Sequence, residues 1–100
     1  MPLFVILGHD GPDALAKRPE ARPRHLEHLR PLSSAGKVVV AGPLFDDAGK
    51  TPRGSLIVLE AASLDEARAL AARDPYVVEG VFARHDVQPF LRVFPEPVES

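Results

Sequence analysis

Apolar and polar positions fall along the chain in blocks that predict six regular elements. Phe4-Val5-Ile6-Leu7 is a short apolar run ending at Gly8. It is rich in β-formers and too short for an independent helix, so it predicts a buried strand. His9 to Asp13 reads as a loop, because Gly11 and Pro12 break regular structure. A helix is expected from Arg22-Pro23, where proline suits the first helical position. Leu26, Leu29 and Leu32 then recur at helical spacing, and Ala35-Gly36 supplies the stop. Pro31 removes one internal hydrogen bond and predicts a kink in the last turn.

The second half reads similarly. Val38 to Ala41 leads into Gly42-Pro43-Leu44, and a polar connection containing Gly49 returns through Ser55 to Leu59. This is a hairpin with a long loop, and Pro43 predicts an edge or a bulge. Ser63 and Glu66 form a capping box for a helix that carries Ala67, Leu70 and Ala71. That helix must end by Asp74, because Pro75 disfavours helical geometry in its predecessor. A final extended region covers Val81 to Val87 and then Pro89 to Leu91, and the tail 95–100 is expected to be frayed coil.

Strand, helix, strand, strand, helix, strand is the split βαβ order. The expected fold class is α+β: a ferredoxin-like βαββαβ sandwich, an antiparallel sheet with two helices on one face, over residues 1–94 as a single domain. The other face of the sheet would be apolar and uncovered, which predicts a homodimer.

Composition narrows the function classes. A chain of 100 residues with 45% hydrophobic and 26% charged residues has room for one ordinary core. A net charge of −2 gives no reason to expect nucleic acid or an acidic membrane as partner. Having no cysteine, the chain has no thiol nucleophile, thiolate metal site or disulfide. No apolar run approaches the roughly 20 residues that cross a bilayer. Leu3–Leu7 lacks the basic flank and cleavage site of a signal peptide, so a cytoplasmic protein is expected. Between Lys17 and Arg30 the basic residues outnumber the acidic ones. They read as a solvated helix face except Arg22, which stands near the helix start where it can grip a substrate carboxylate.

Helical geometry ranks the ionisable residues. With about 100° per residue and His25 as origin, Leu26, Leu29 and Leu32 fall near ~100°, ~40° and ~−20°. His25 therefore lies inside the apolar stripe, and His28 at its edge. Asp74 continues the apolar stripe of the second helix. A carboxylate directed inward at a helix C-terminus loses hydration and meets the negative end of the dipole. A histidine on the neighbouring helix would compensate. Asp74 would then fix the tautomer of His25 and leave its other nitrogen to move a substrate proton. A core histidine satisfied by a turn-capping carboxylate would leave the same trace in the sequence.

Other chemistry is weaker. His25-Leu26-Glu27-His28 is not the H-E-x-x-H zinc pattern, and His9-Asp10 and His85-Asp86 are lone dipeptides, so no metal is expected. Ser33, Ser34 and Ser55 lack a nucleophile elbow and read as helix-end and strand-start residues. Gly42 and Pro43 read either as a pocket wall or as a strand bulge. Tyr76 reads either as a phenol offered to the pocket or as packing.

In order and spacing, several segments resemble the YCII (YciI-like) family. They are Arg22-Pro23-Arg24-His25-Leu26, Gly36-Lys37, Ala41-Gly42-Pro43-Leu44, Gly54-Ser55, Asp74-Pro75-Tyr76, Gly80, Val87-Gln88-Pro89-Phe90 and Val93-Phe94. The resemblance implies a ferredoxin-like, dimeric α+β barrel fold related to muconolactone isomerase. It also implies a His–Asp dyad lining a pocket, carried here by His25 and Asp74. One branch of the family is similar to a dehydrochlorinase that works on chlorinated hydroxyquinols without an organic cofactor. The expected function is a cofactor-independent lyase or isomerase acting on a small anionic cyclic or enolic compound. Arg22, Gly42, Pro43 and Tyr76 would bind that substrate. The alternatives are a non-catalytic small-molecule binding module and a cofactor-free oxygenase.

Overall fold

In the computed structural model, which describes residues 2–96, the alternation of the first strand outlasts its apolar run. β1 spans Leu3–Asp10, so His9 and Asp10 close a strand and do not open a loop as the sequence suggests. Phe4, Ile6 and Gly8 are buried on one face, and Leu3, Val5 and Leu7 are half-buried on the other. The same alternation turns Asp10 toward the buried face.

The first helix, α1, covers Ala14–Ser34 and begins well before the Arg22-Pro23 start that the sequence suggests. Pro19, Pro23 and Pro31 all stand inside it. Each occupies an exposed position, and the carbonyls they leave unbonded belong to Leu15, Pro19 and Glu27, which are exposed too. Water can serve those carbonyls, so the cost that normally bars proline from a helix is reduced. The buried stripe is Ala14, Arg18, Ala21, His25 and Leu29. Past Pro31 the helix continues to Ser34 and closes at Gly36, whose φ is +75°. Gly36 N–H donates to Ser33 O and Lys37 N–H to Leu32 O, the paired bonds of a glycine-terminated helix.

β2 (Val38–Phe45), β3 (Pro52–Glu60) and β4 (Phe82–Phe90) complete one antiparallel sheet in the order β2-β3-β1-β4. Pro43 and Pro89 lie in the two edge strands, where a missing amide donor is tolerated. α2 spans Leu64–Arg73, and Ser63 Oγ accepts from Glu66 N–H at 3.1 Å as a cap. A third, one-turn helix that the sequence reading does not include, α3, spans Pro75–Val78. Asp74 starts it by accepting from the Tyr76 N–H at 2.9 Å, with Pro75 in the first helical position.

This is a ferredoxin-like α+β fold. Phe4, Ile6, Ile57 and Leu59 of the sheet pack against Leu29 of α1 and Ala67 and Ala71 of α2. A second cluster of Ala14, Ala21, Tyr76, Val81 and Phe82 lies under the first half of α1. The strand register places Val5, Leu7, Leu56, Val40 and Leu44 on the face opposite these helices. Among the described residues no helix is long and apolar enough to cross a membrane. The tail expected from 95 onward lies, beyond Glu96, outside the described residues.

Candidate active site

α1 and the α2–α3 junction bring His25 and Asp74 together across 49 residues of sequence. His25 Nδ1–H donates to Asp74 Oδ1 at 2.7 Å and lies 2.9 Å from Oδ2. Both side chains are nearly enclosed, with 10% and 4% of their surface exposed. A carboxylate only accepts, so this bond puts the imidazole proton on Nδ1 and leaves Nε2 with its lone pair. Asp74 also caps α3 through the Tyr76 amide. That second donor offsets the unfavourable position at the end of α2. Among the described residues Nε2 makes no hydrogen bond, and no fully enclosed side-chain nitrogen or oxygen lacks a partner. Nε2 therefore keeps access to solvent space.

Tyr76 fixes the imidazole plane. Its ring is stacked on His25 with centroids 3.9 Å apart and planes 4° apart, while Phe82 meets the Tyr76 ring edge-on at 5.5 Å. Burial pushes the Tyr76 hydroxyl above its ordinary pKa, with the positive charges of Arg18 and Arg22 pulling the other way. Arg24, on the exposed side of α1, grips Glu79 with two hydrogen bonds of 2.7 and 2.6 Å and so ties α1 to the end of α3.

A cleft of about 190 Å³ opens beside His25, between α1 and the sheet. Arg22, Gly42, Pro43 and Tyr76 all border it together with His25, while Asp74 stands behind the imidazole and does not line the cleft. Its remaining walls are Leu26, Leu29, Ala41 and Ile57, with Arg18 and Ser55. Arg22 is exposed and makes no ion pair among the described residues.

Arg18 and Asp10 are the residues that the sequence reading misses. Arg18 is 8% exposed and belongs to no solvated face. Its Nε and Nη2 donate to Asp10 at 2.7 and 2.9 Å, and Nη2 also reaches Gly54 O at 2.8 Å and Ser55 Oγ at 3.1 Å. The guanidinium carbon lies 5.0 Å from the Tyr76 ring centre. Two signals could have found the pair. Alternation from Phe4 through Gly8 leads to Asp10, and Arg18 precedes Ala21 and His25 at helical spacing.

Among the described residues no three His, Cys, Asp or Glu side chains cluster in a way that could hold a metal. His28 is used elsewhere: its Nε2–H donates to the Leu70 carbonyl at 2.9 Å and links α1 to α2. His9 Nε2–H donates to Asp86 at 3.1 Å on the surface.

The sequence from 2 to 91 matches the model of the YCII-related domain. The chain belongs to the YCII family. It is 40% identical over 97 residues to protein YciI of Escherichia coli O6:H1, covering 92% of this chain and 99% of that protein. Among solved structures it is similar to 5-chloro-2-hydroxyhydroquinone dehydrochlorinase from Burkholderia phenoliruptrix, in complex with 2,5-dihydroxybenzoquinone. The TM-score is 0.80 and the identity 32%, over 89% of this YCII chain and 93% of that enzyme. An antibiotic biosynthesis monooxygenase-type protein from Nitrosomonas europaea shares the fold at a TM-score of 0.53 and 13% identity, over 94% of this chain and 100% of that one. At that distance the likeness carries the fold alone.

Proposed function

We propose that this YCII protein is a cofactor-independent lyase or isomerase that moves a proton on a small anionic, oxygenated ring or enol compound. His25 is the acid–base group and Asp74 orients it. The observation that carries this reading is the division of the imidazole. Nδ1 is held by Asp74 at 2.7 Å, while Nε2 has no protein partner among the described residues and His25 borders the cleft. A positioned imidazole of this kind contributes roughly 10²–10⁴-fold to a rate.

The cleft favours a single ring. Its volume of about 190 Å³ is close to the ~150 Å³ that accepts a benzene in an engineered apolar cavity. Leu26, Leu29 and Ile57 give it apolar walls, Gly42 and Pro43 border it from the edge strand, and Tyr76 holds the imidazole flat. Arg22 supplies an uncompensated positive charge for a carboxylate or phenolate. The similarity to a dehydrochlorinase that holds 2,5-dihydroxybenzoquinone supports the same substrate class. In the proposed step Nε2 takes a proton from a hydroxyl or carbon of the ring. The electron pair left behind forms the new double bond. A leaving group then departs with its bonding pair, or the proton returns at another carbon. The uncovered apolar face of the sheet supports a homodimer as the working form.

Wild type and His25→Gln test the reading with 2,5-dihydroxybenzoquinone as ligand and 5-chloro-2-hydroxyhydroquinone among a panel of hydroxylated rings as substrates. Wild type is expected to bind and to turn over a member of the panel. His25→Gln should bind within a few-fold and lose about 100-fold or more in turnover. Undiminished turnover in His25→Gln removes the imidazole from the chemistry. Binding without turnover anywhere in the panel makes the protein a binding module.

A further inference from the structure

The Arg18 network has a consequence on the wall of the cleft that faces α1. Ser55 stands on β3, on the buried face of the sheet, between Gly8 of β1 and Pro43 of β2. Glycine on one side leaves room for the Phe82 ring, which a side chain there would strike. Arg18 Nη2 carries two protons for three acceptors, so its 3.1 Å contact with Ser55 Oγ is one branch of a proton shared with Asp10 or Gly54 O. Because arginine has no acceptor atom, the serine oxygen accepts in it. The hydroxyl proton of Ser55 is then free, and it has no other partner among the described residues. Ser55 and Arg18 both border the cleft that contains His25.

The guanidinium is also oriented. Two bonds to Asp10 and one to Gly54 O hold Nε and Nη2. Nη1 is left without a hydrogen bond among the described residues, and because no fully enclosed nitrogen lacks a partner, it keeps an open edge. A fixed donor edge beside a free hydroxyl proton is the arrangement that receives an oxygen carrying negative charge.

We propose that Ser55 and Arg18 form an oxyanion subsite that binds a deprotonated ring or enol oxygen of the substrate, with Ser55 Oγ–H and Arg18 Nη1–H as its donors. The inference rests on the proton-transfer reading of His25 and deepens it. When Nε2 removes a proton, the electron pair moves into the ring and charge collects on an oxygen. The subsite stabilises that charge without becoming protonated or deprotonated itself. Asp10 keeps the Arg18 guanidinium in place and balances its charge in the free protein, so the subsite selects compounds with an acidic hydroxyl over neutral rings of the same size.

Binding separates this inference from the proton-transfer reading. 2,5-Dihydroxybenzoquinone, an acidic dihydroxy ring, and hydroquinone, a neutral one, are titrated into wild type, Ser55→Ala and Ser55→Cys. Cysteine keeps the approximate volume and offers only a weak donor. Both variants are expected to bind the acidic ring about ten-fold more weakly, as for loss of one hydrogen bond to a charged group, and hydroquinone within two-fold. Equal binding of the acidic ring by wild type and both variants overturns the subsite and leaves the role of His25 standing. Equal weakening of both rings also overturns it, because Ser55 then acts through packing. Wild type that binds neither ring overturns the subsite and the proton-transfer reading together.

Discussion

The imidazole of His25 and the phenol of Tyr76 lie face to face, 3.9 Å apart and 4° from parallel. Tyr76 is one residue past Pro75, in a helix of only one turn, yet it is 3% exposed. It fills the space between His25, Phe82 and Arg18. Truncating it empties that space. Tyr76→Ala is expected to lose about 3–5 kcal/mol, and Tyr76→Phe, which keeps the ring, less than about 1 kcal/mol. Urea unfolding of the two variants side by side checks this, and similar losses in both would mean that the hydroxyl and not the ring holds the site.

Burial raises the Tyr76 hydroxyl above its ordinary value of 10.0. The native state therefore holds its phenol proton to higher pH than the unfolded chain does. The resulting stabilisation is complete below the ordinary value and is lost as pH rises through the native one. The chain has one tyrosine and no tryptophan, so the ultraviolet absorbance of tyrosinate reports this residue alone. Tyrosinate is expected to form at higher pH in native protein than in urea. Wild type should also lose stability more steeply than Tyr76→Phe in that alkaline window. Coincident titrations in native and unfolded protein would contradict the assignment.

How far the site was legible depended on which rule governed each residue. His25 followed from its place among Leu26, Leu29 and Leu32, and Asp74 from the stop that Pro75 imposes. Both inferences used local geometry, which one stretch of chain determines. Arg18 and Asp10 were hidden by rules that are sound on average. Three prolines argue against a helix from Ala14 to Ser34, and the helix survives because each proline and the carbonyl it frees stand at exposed positions. Gly8 argues for a strand end, yet the strand runs on to Asp10. There a side chain on Gly8 would collide with the Phe82 ring, so the glycine answers to tertiary packing. α3 was missed because four residues carry no periodicity to read.

Asp74→Asn probes the orientation of the imidazole. Asp74 Oδ1 receives both the Tyr76 amide and His25 Nδ1, so an asparagine that keeps its oxygen there sets its NH₂ in the place of Oδ2, 2.9 Å from Nδ1. An NH₂ that close opposes an Nδ1–H and favours a bare Nδ1, which moves the proton to Nε2 and removes the base from the cleft. Nitrogen-15 spectra of the imidazole are expected to show the Nδ1–H form in wild type and the Nε2–H form in Asp74→Asn. Turnover should fall about 10²–10⁴-fold in parallel. A variant that retains the wild-type tautomer and full turnover would show that Asp74 serves only to cap α3.

Two ion pairs, one enclosed and one solvated, make a controlled comparison. Arg18 and Asp10 pair with side chains only 10% and 7% exposed, whereas His9 and Asp86 meet at 41% and 50%. Removing one partner of an enclosed pair leaves a charge with no counterion and little water. Asp10→Asn is therefore expected to cost about 3–5 kcal/mol. Asp86→Asn breaks a solvated contact and should cost no more than about 1 kcal/mol. Urea unfolding at neutral pH measures both, and equal costs would refute the difference in solvation between the two sites.

The outer face of the sheet sets the last expectation. Leu44 lies on edge strand β2, opposite Gly54 in the register and on the face away from the helices. It is 44% exposed, and its neighbours Val40 and Phe45 are 53% and 47% exposed. None of the three belongs to the buried clusters, so a polar replacement at Leu44 leaves the core intact. If a second copy covers this face, the glutamate introduced by Leu44→Glu in each copy would be driven out of water, a cost that burial of the remaining apolar surface cannot offset. Sedimentation is expected to show wild type as a dimer and Leu44→Glu as a folded monomer. A monomeric wild type, or a variant that dimerises as tightly, would mean that this face stays open to water. The apolar side chains of β2 would then need another occupant.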